Sequence, residues 1–160
     1  MLYIFDKDGT LIDSFDDRPA NTPAEQIALP GVVAKVAELR SAGHALAIAT
    51  NQGGVAWGFI SLSTAYRLAW DAAEKVGGVD AVSVCPYDSR AKGPRARAQY
   101  AKVSQRRKPG PGMITELARR LDYPLADTIF VGDRDSDRAA AEAAGVEFVP
   151  AEEFFNEKEI

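Results

Sequence analysis

The chain has 160 residues, 46% of them hydrophobic and 26% charged, with a net charge of −4, which fits one compact domain with its own core. Its single cysteine, Cys85, excludes an intrachain disulfide and suits a reducing compartment. The longest uncharged stretch, residues 45–66, holds Asn, Gln, Ser, Thr and Gly and does not read as a membrane span, and the start lacks the basic region and cleavage site of a secretory signal. The expected location is the cytoplasm.

The apolar run Leu2–Phe5 reads as a buried strand. Residues 13–29 are polar and rich in proline, and are expected to form an irregular excursion. After Pro30-Gly31, the spacing of Val32, Val33, Val36 and Leu39 predicts an amphipathic helix ending at Gly43. Residues 45–49 form a second apolar run, followed by a Gly-rich loop through Gly54. A helix is predicted over 61–76, with Leu62, Ala65, Leu68, Ala69 and Ala72 on one face, and Trp70 is expected to pack. A third strand is expected at 79–84, a helix at 113–121, a fourth strand at 128–131, a helix at 136–144 and a last strand at 146–149. The tail 151–160 adds one helical turn or two.

Between the third strand and the next helix lies a long basic loop, 86–108. Residues 88–108 carry eight Lys and Arg against one acid, Asp88, while the rest of the chain is strongly acidic. A basic segment on an acidic body points to an anionic partner or substrate.

Strands alternating with helices predict an α/β fold: a Rossmann-like three-layer sandwich with a mainly parallel central sheet in one domain, 1–160. No stretch between the elements is long enough for a large cap domain. In such sheets the ligand site lies beyond the carboxyl ends of the strands. Four groups of polar residues fall there: Asp6 and Asp8, Thr50 and Asn51, Asp133 with Asp137, and Lys108 just before the Pro-Gly-Pro start of a helix.

Asp6 and Asp8 are two apart, so in an extended chain they project to the same side. Together with Asp133 they concentrate negative charge, which a hard divalent cation with oxygen ligands relieves; Mg²⁺ is the natural choice. The sequence shows no Cys or His cluster to favour zinc. Lys108, the Thr50 hydroxyl and the N–H groups of the Gly-rich loop suit phosphate oxygens. These parts fit phosphoryl transfer through an aspartyl-phosphate.

Four stretches, FDKDGTL (5–11), ATNQGG (49–54), RRKPGPGM (106–113) and VGDRDSDRAA (131–140), resemble the ordered motifs of the haloacid dehalogenase (HAD) superfamily of phosphatases. Their spelling is most similar to its histidinol-phosphate, heptose-bisphosphate and polynucleotide 3′-phosphatases. The resemblance implies that Asp6 is the nucleophile and Asp8 the general acid and base. Asp6, the Asp8 main-chain carbonyl and Asp133 would hold Mg²⁺. Thr50 would bond the phosphoryl group and Lys108 would neutralise its charge. Asp137 would support the site or cap the following helix, and Asn51 and Arg107 would contact substrate.

The chain also departs from the family. Its heptose-bisphosphate members carry a zinc loop, Cys-x-His … Cys-x-Cys. Here Cys85 matches the first ligand, but Tyr87, Ser104 and Arg106 stand at the others, so no zinc is expected. Where those members have GIARG, this chain has GVAWG, which places Trp57 beside the site as a candidate substrate contact. The implied function is a Mg²⁺-dependent phosphomonoesterase acting on a small phosphorylated metabolite such as a sugar phosphate. Removal of 3′-phosphates from nucleic-acid ends is an alternative motivated by the basic loop. A non-catalytic scaffold on the same fold is a second.

Overall fold

In the computed structural model, which describes residues 1–13 and 19–156, five strands form one sheet. They are β1 (Leu2–Phe5), β2 (Ala45–Asn51), β3 (Ala81–Cys85), β4 (Thr128–Gly132) and β5 (Glu147–Pro150). Their order is β3-β2-β1-β4-β5, and every pair is parallel. The helices between them are α1 (Val32–Ser41), α2 (Gly54–Trp57), α3 (Leu62–Val76), α4 (Gly112–Arg120), α5 (Asp135–Ala144) and α6 (Ala151–Phe155). The chain lays β2 and β3 to one side of β1 and then crosses to lay β4 and β5 on the other. The strand order therefore reverses at β1, and the crevice beyond its carboxyl end is where such sheets bind ligands.

Alternation along the strands builds two cores, one on each face. Phe5, Leu46, Ile48 and Val82 pack with Val32 and Val36 of α1 and with Ala65, Ala69 and Ala72 of α3. Leu2, Ile4, Ala47 and Ala49 pack with Met113, Ile114 and Leu117 of α4 and with Ala140 and Ala141 of α5. Helices on both faces complete the three-layer α/β sandwich. Among the described residues no separate cap domain stands over the strand ends, and no helix is long and apolar enough to cross a membrane.

Element boundaries differ from the sequence expectation for local reasons. Strand β3 starts at Ala81 rather than residue 79 because the Asp80 carboxylate turns in to accept the Leu46 N–H at 2.9 Å. Helix α3 starts at Leu62 because Ser61 caps it, its hydroxyl accepting from the Thr64 N–H at 3.1 Å. Trp70 does not pack as expected: it is 46% exposed, on the outer face of α3 with Tyr66. In the Gly-rich loop after β2 the chain winds into the single turn α2, which the loop's composition does not announce. The excursion 13–29 holds a short 3₁₀ turn, Pro23–Glu25; its residues 14–18, like 157–160 of the tail, lie outside the described set.

Phe130 on β4 is fully buried in the core that includes Ile4 of β1 and Met113 of α4. Phe130→Ala should cost about 3–5 kcal/mol of stability, measured by urea unfolding of the full chain at unchanged m-value.

Candidate active site

Beyond β1 the chain continues its sheet bonding for one residue, with the Asp6 N–H donating to Val131 O at 3.0 Å. It then turns sharply, the Leu11 and Ile12 N–H groups both returning to Lys7 O. Gly9 takes φ +84° in this turn, and a Cβ there would stand 2.3 Å from Asp133 Oδ2. Only glycine leaves room for the Asp133 carboxylate to reach across. Thr10 Oγ1 lies 3.3 Å from both Asp6 Oδ2 and Asp133 Oδ1, linking the ends of β1 and β4.

Lys108 comes from the far end of the basic loop and is almost completely buried. Its ammonium lies 2.7 Å from Asp6 Oδ1 and 2.8 Å from Asp137 Oδ1, and donates to Ala49 O at 3.1 Å. Its three donors thus have three acceptors, just past β1, on β2 and on α5. Burial alone would push the ammonium down, but the facing Asp6 and Asp137 carboxylates hold it above its ordinary value. Asp137 has partners on both of its oxygens. Its Oδ2 accepts from the Asp133 and Arg134 N–H groups at the start of α5 while its Oδ1 meets Lys108. Burial pushes its carboxyl up, against the pull of Lys108.

Asp8 is held on both oxygens. Lys7 Nζ reaches Oδ1 at 2.9 Å and Gln52 Nε2 donates to Oδ2 at 3.1 Å. Lys7 has no exposed surface, and its other partner is Gln26 Oε1 at 2.7 Å. Gln26 is anchored in turn by Leu68 O and Asp71 of α3, so the excursion before α1 fixes the aspartate from behind. Thr50 is buried, its hydroxyl accepting from Gln52 Nε2 at 2.9 Å. Asn51 lines the cleft, and both ends of its amide engage the Lys108 peptide, at 3.1 and 3.0 Å.

The donor set suits a hard divalent cation. Carboxylate oxygens of Asp6, Asp133 and Asp137 all lie within 4.8 Å of one another, with Asp6 and Asp137 buried and Asp133 exposed. Burial, aided by Asp133, pushes the Asp6 carboxyl up to about 6 in spite of Lys108. A buried carboxylate raised in this way is stabilised in its charged form by an added cation. The cradle that a Cβ on Gly9 would fill, and a cluster holding only oxygen donors, fit Mg²⁺.

Side chains fasten the basic loop. Arg106 donates to Glu116 Oε2 at 3.0 Å and to Ser83 Oγ at 2.9 Å, and its own N–H is taken by Ser104 Oγ at 3.1 Å. Tyr87 meets Tyr100 with ring centroids 5.9 Å apart, and Lys102 lies 5.2 Å over the Tyr87 ring. Cys85 is buried, and burial pushes its thiol up. Asp88, the one acid of the segment, is nearly buried and gathers Arg90, Arg107 and the Trp57 indole N–H. Hydrogen bonding from Arg90 holds its carboxyl well below the usual range. Arg107 also donates to Tyr87 O at 3.1 Å. Five of the eight cations of this segment are therefore engaged within the protein.

A cleft of about 580 Å³ opens over these groups, lined by Asp6, Asp8, Asn51, Trp57, Arg107 and Lys108 among others. Asp133 lies outside its lining, on the side toward Gly9 and Thr10. Sequence reasoning missed Lys7, Thr10, Gln26, Gln52 and Asp88. Thr10 and Gln52 were legible as members of the DGT and TNQ motifs, and Asp88 as the lone acid in a basic run. Nothing in the sequence pairs Lys7 with Gln26.

A doubly wound parallel sheet with an acidic, lysine-bearing edge at its strand reversal suits phosphoryl transfer. Known proteins agree. A family model described as HAD-hydrolase-like matches residues 105–150. A D-glycero-β-D-manno-heptose-1,7-bisphosphate 7-phosphatase of Pseudomonas putida is 35% identical over 150 residues, covering 91% of this chain and 79% of that protein. A HAD-like phosphatase from Mesorhizobium loti superposes with a TM-score of 0.77 at 30% identity, over 90% of this chain and 68% of that one. A D,D-heptose 1,7-bisphosphate phosphatase from Bordetella bronchiseptica, crystallised with magnesium and phosphate, superposes with a TM-score of 0.71 at 35% identity, over 93% of this chain and 78% of that one. The chain belongs to the haloacid dehalogenase superfamily of phosphatases.

The Arg106 brace is partly solvent-exposed, so its loss should loosen the loop more than the fold. Arg106→Ala is expected to speed amide exchange across residues 104–108 by about tenfold while lowering global stability by about 1 kcal/mol. Hydrogen exchange followed by mass spectrometry measures the first, urea unfolding the second.

Proposed function

We propose that this chain is a Mg²⁺-dependent phosphomonoesterase that removes phosphate from a small phosphorylated sugar through an aspartyl-phosphate on Asp6. The observation that carries the reading is the buried Asp6 carboxylate at the end of the central strand, 2.7 Å from the Lys108 ammonium, with Asp8 two residues on. The heptose-bisphosphate phosphatases to which the chain is similar support the sugar ester. The internal engagement of the basic loop favours a small ester over a nucleic-acid end.

In this mechanism a carboxylate oxygen of Asp6 attacks phosphorus and the ester oxygen leaves, taking a proton from Asp8. Asp8 then removes a proton from water as that water attacks the phosphoryl group on Asp6. Inorganic phosphate departs and both aspartates return to their starting forms. Lys108 stabilises charge on the phosphoryl oxygens from a dry position, where its field is little screened. Thr50 contributes its hydroxyl and Arg107 faces the ester from the cleft wall. Lys7 and Gln52 orient the Asp8 carboxylate between its two proton transfers. Asp6, Asp133 and the Asp8 main-chain carbonyl would hold Mg²⁺, with Asp137 supporting them through Lys108 and the α5 backbone. The ion supplies neutralisation of the carboxylates and of the phosphate that must approach them.

Asp6→Asn should abolish Mg²⁺-dependent release of phosphate from a generic phosphomonoester, by at least about 10³-fold in kcat, with unchanged circular dichroism. An Asp6→Asn protein that keeps wild-type turnover would sink the covalent mechanism. Chelation should silence the wild type, and added Mg²⁺ should restore it; full activity in excess chelator would exclude the metal's role.

A further inference from the structure

The chemistry above uses the acidic floor of the cleft and leaves its aromatic rim without a task. Trp57 closes α2 and Phe59 follows across Gly58. Both line the cleft, their rings 13° from parallel with centroids 6.3 Å apart. Phe59 is 64% exposed. One exposed phenylalanine means little, but stacked with a half-buried indole at a cleft mouth it makes an aromatic surface of two rings.

That surface is held still from behind. The indole Nε1 donates to Asp88 Oδ2 at 3.2 Å. Asp88 is 2% exposed, and Arg90 grips both its oxygens at 3.0 Å. Between the two rings Gly58 takes φ +81°, and a Cβ there would stand 2.0 Å from the Arg95 carbonyl oxygen. The basic loop thus packs directly against the turn, and the Arg97 N–H donates to Ala56 O at 2.8 Å. An aromatic surface fixed before binding loses little freedom when a ligand settles on it.

We propose, taking the cleft as the phosphatase site described above, that Trp57 and Phe59 form a stacking platform for the leaving group. The preferred ester then carries its phosphate on a compound with a ring. Paired aromatic side chains offer a flat apolar area whose hydrogen-bonding groups lie only at its edge, where Asp88 and Arg90 stand. A ring offers the complement, a flat face with polar substituents at its periphery. Sugars and aromatic bases share that chemistry, and an open-chain phosphate lacks it.

The test is steady-state phosphate release by the full chain with Mg²⁺ from glucose 6-phosphate, adenosine 3′-monophosphate and glycerol 1-phosphate. Trp57→Leu should raise KM for a ring ester about tenfold, and the exposed Phe59→Leu about threefold, with kcat within about twofold. Glycerol 1-phosphate should keep its KM in both variants. Whichever ring ester moves identifies a sugar or a base as the occupant. Equal shifts on all three esters, or a shift on none, overturn the platform. Wild type inactive on all three would overturn the phosphatase reading instead, and the platform then has its own readout. In a Trp70→Phe protein, Trp57 is the sole tryptophan of the two in the chain. Its emission should change with glucose 6-phosphate or adenosine 3′-monophosphate and not with glycerol 1-phosphate. Emission unmoved by both ring compounds, or moved equally by all three, overturns it.

Discussion

The Lys108 ammonium, with 4% of its residue surface exposed, is the contact on which the site depends. A cation so far from water is tolerated only where its donors all find acceptors and opposite charge lies close. Lys108 meets both conditions by drawing on Asp6 after β1, the Ala49 carbonyl on β2 and Asp137 in the first turn of α5. It therefore ties the centre of the sheet to the basic loop and to the helix after β4. Without it, Asp6 and Asp137 would be two buried carboxylates with no cation between them. The same lysine makes the acidic edge compatible with folding.

The charge balance at that edge is deliberately incomplete. Lys108 offsets part of the burial cost of Asp6, yet the Asp6 carboxyl stays raised to about 6, because burial outweighs that pull and Asp133 adds to it. A fully neutralised carboxylate would have nothing to gain from a metal or an anion's counter-charge. Here the unmet charge faces the cleft, so the groups that complete the site also relieve it. Lys7 follows the opposite logic. Wholly buried, it is closed off by Asp8 and Gln26, and acts as a fixed strut behind the Asp8 carboxylate.

The alternation of strands and helices and the place of the candidate site were legible because both follow from short-range pattern. Apolar runs of strand length alternate with helical spacing, and the polar exceptions cluster just past strand ends. Asp6, Asp8, Lys108 and Asp133 could be named for that reason, and the HAD motifs gave them roles. What was not legible depends on partners distant in sequence. Gln26 pairs with Lys7 and with α3 across a proline-rich excursion, and no local signal encodes that pairing. Trp70 lies on a helix whose stripe is filled by alanines small enough to pack closely on the sheet, so the larger ring is turned outward. The turn α2 forms because Gln52 and Gly53 carbonyls accept from Val55 and Trp57, bonds that glycine-rich composition argues against.

Eight cations in a run suggested a surface waiting for an anion, but the loop's charge has another use. A long segment with little regular structure needs internal partners to hold one conformation. Arg106 with Glu116, Lys102 over Tyr87, and Arg90 and Arg107 around Asp88 supply them. Tyr87, Ser104 and Arg106, the residues that depart from a zinc-loop pattern, belong to this bracing. Asp88 is its hub: one buried carboxylate fixes the loop through its arginines and the cleft rim through the Trp57 indole. Arg107 is adjacent to Lys108 in the chain, so the frame that orients the rim continues into the frame that sets the Lys108 ammonium. Lys108 itself is held by Asp6, the Ala49 carbonyl and Asp137, so a change at the aromatic rim leaves that ammonium in place.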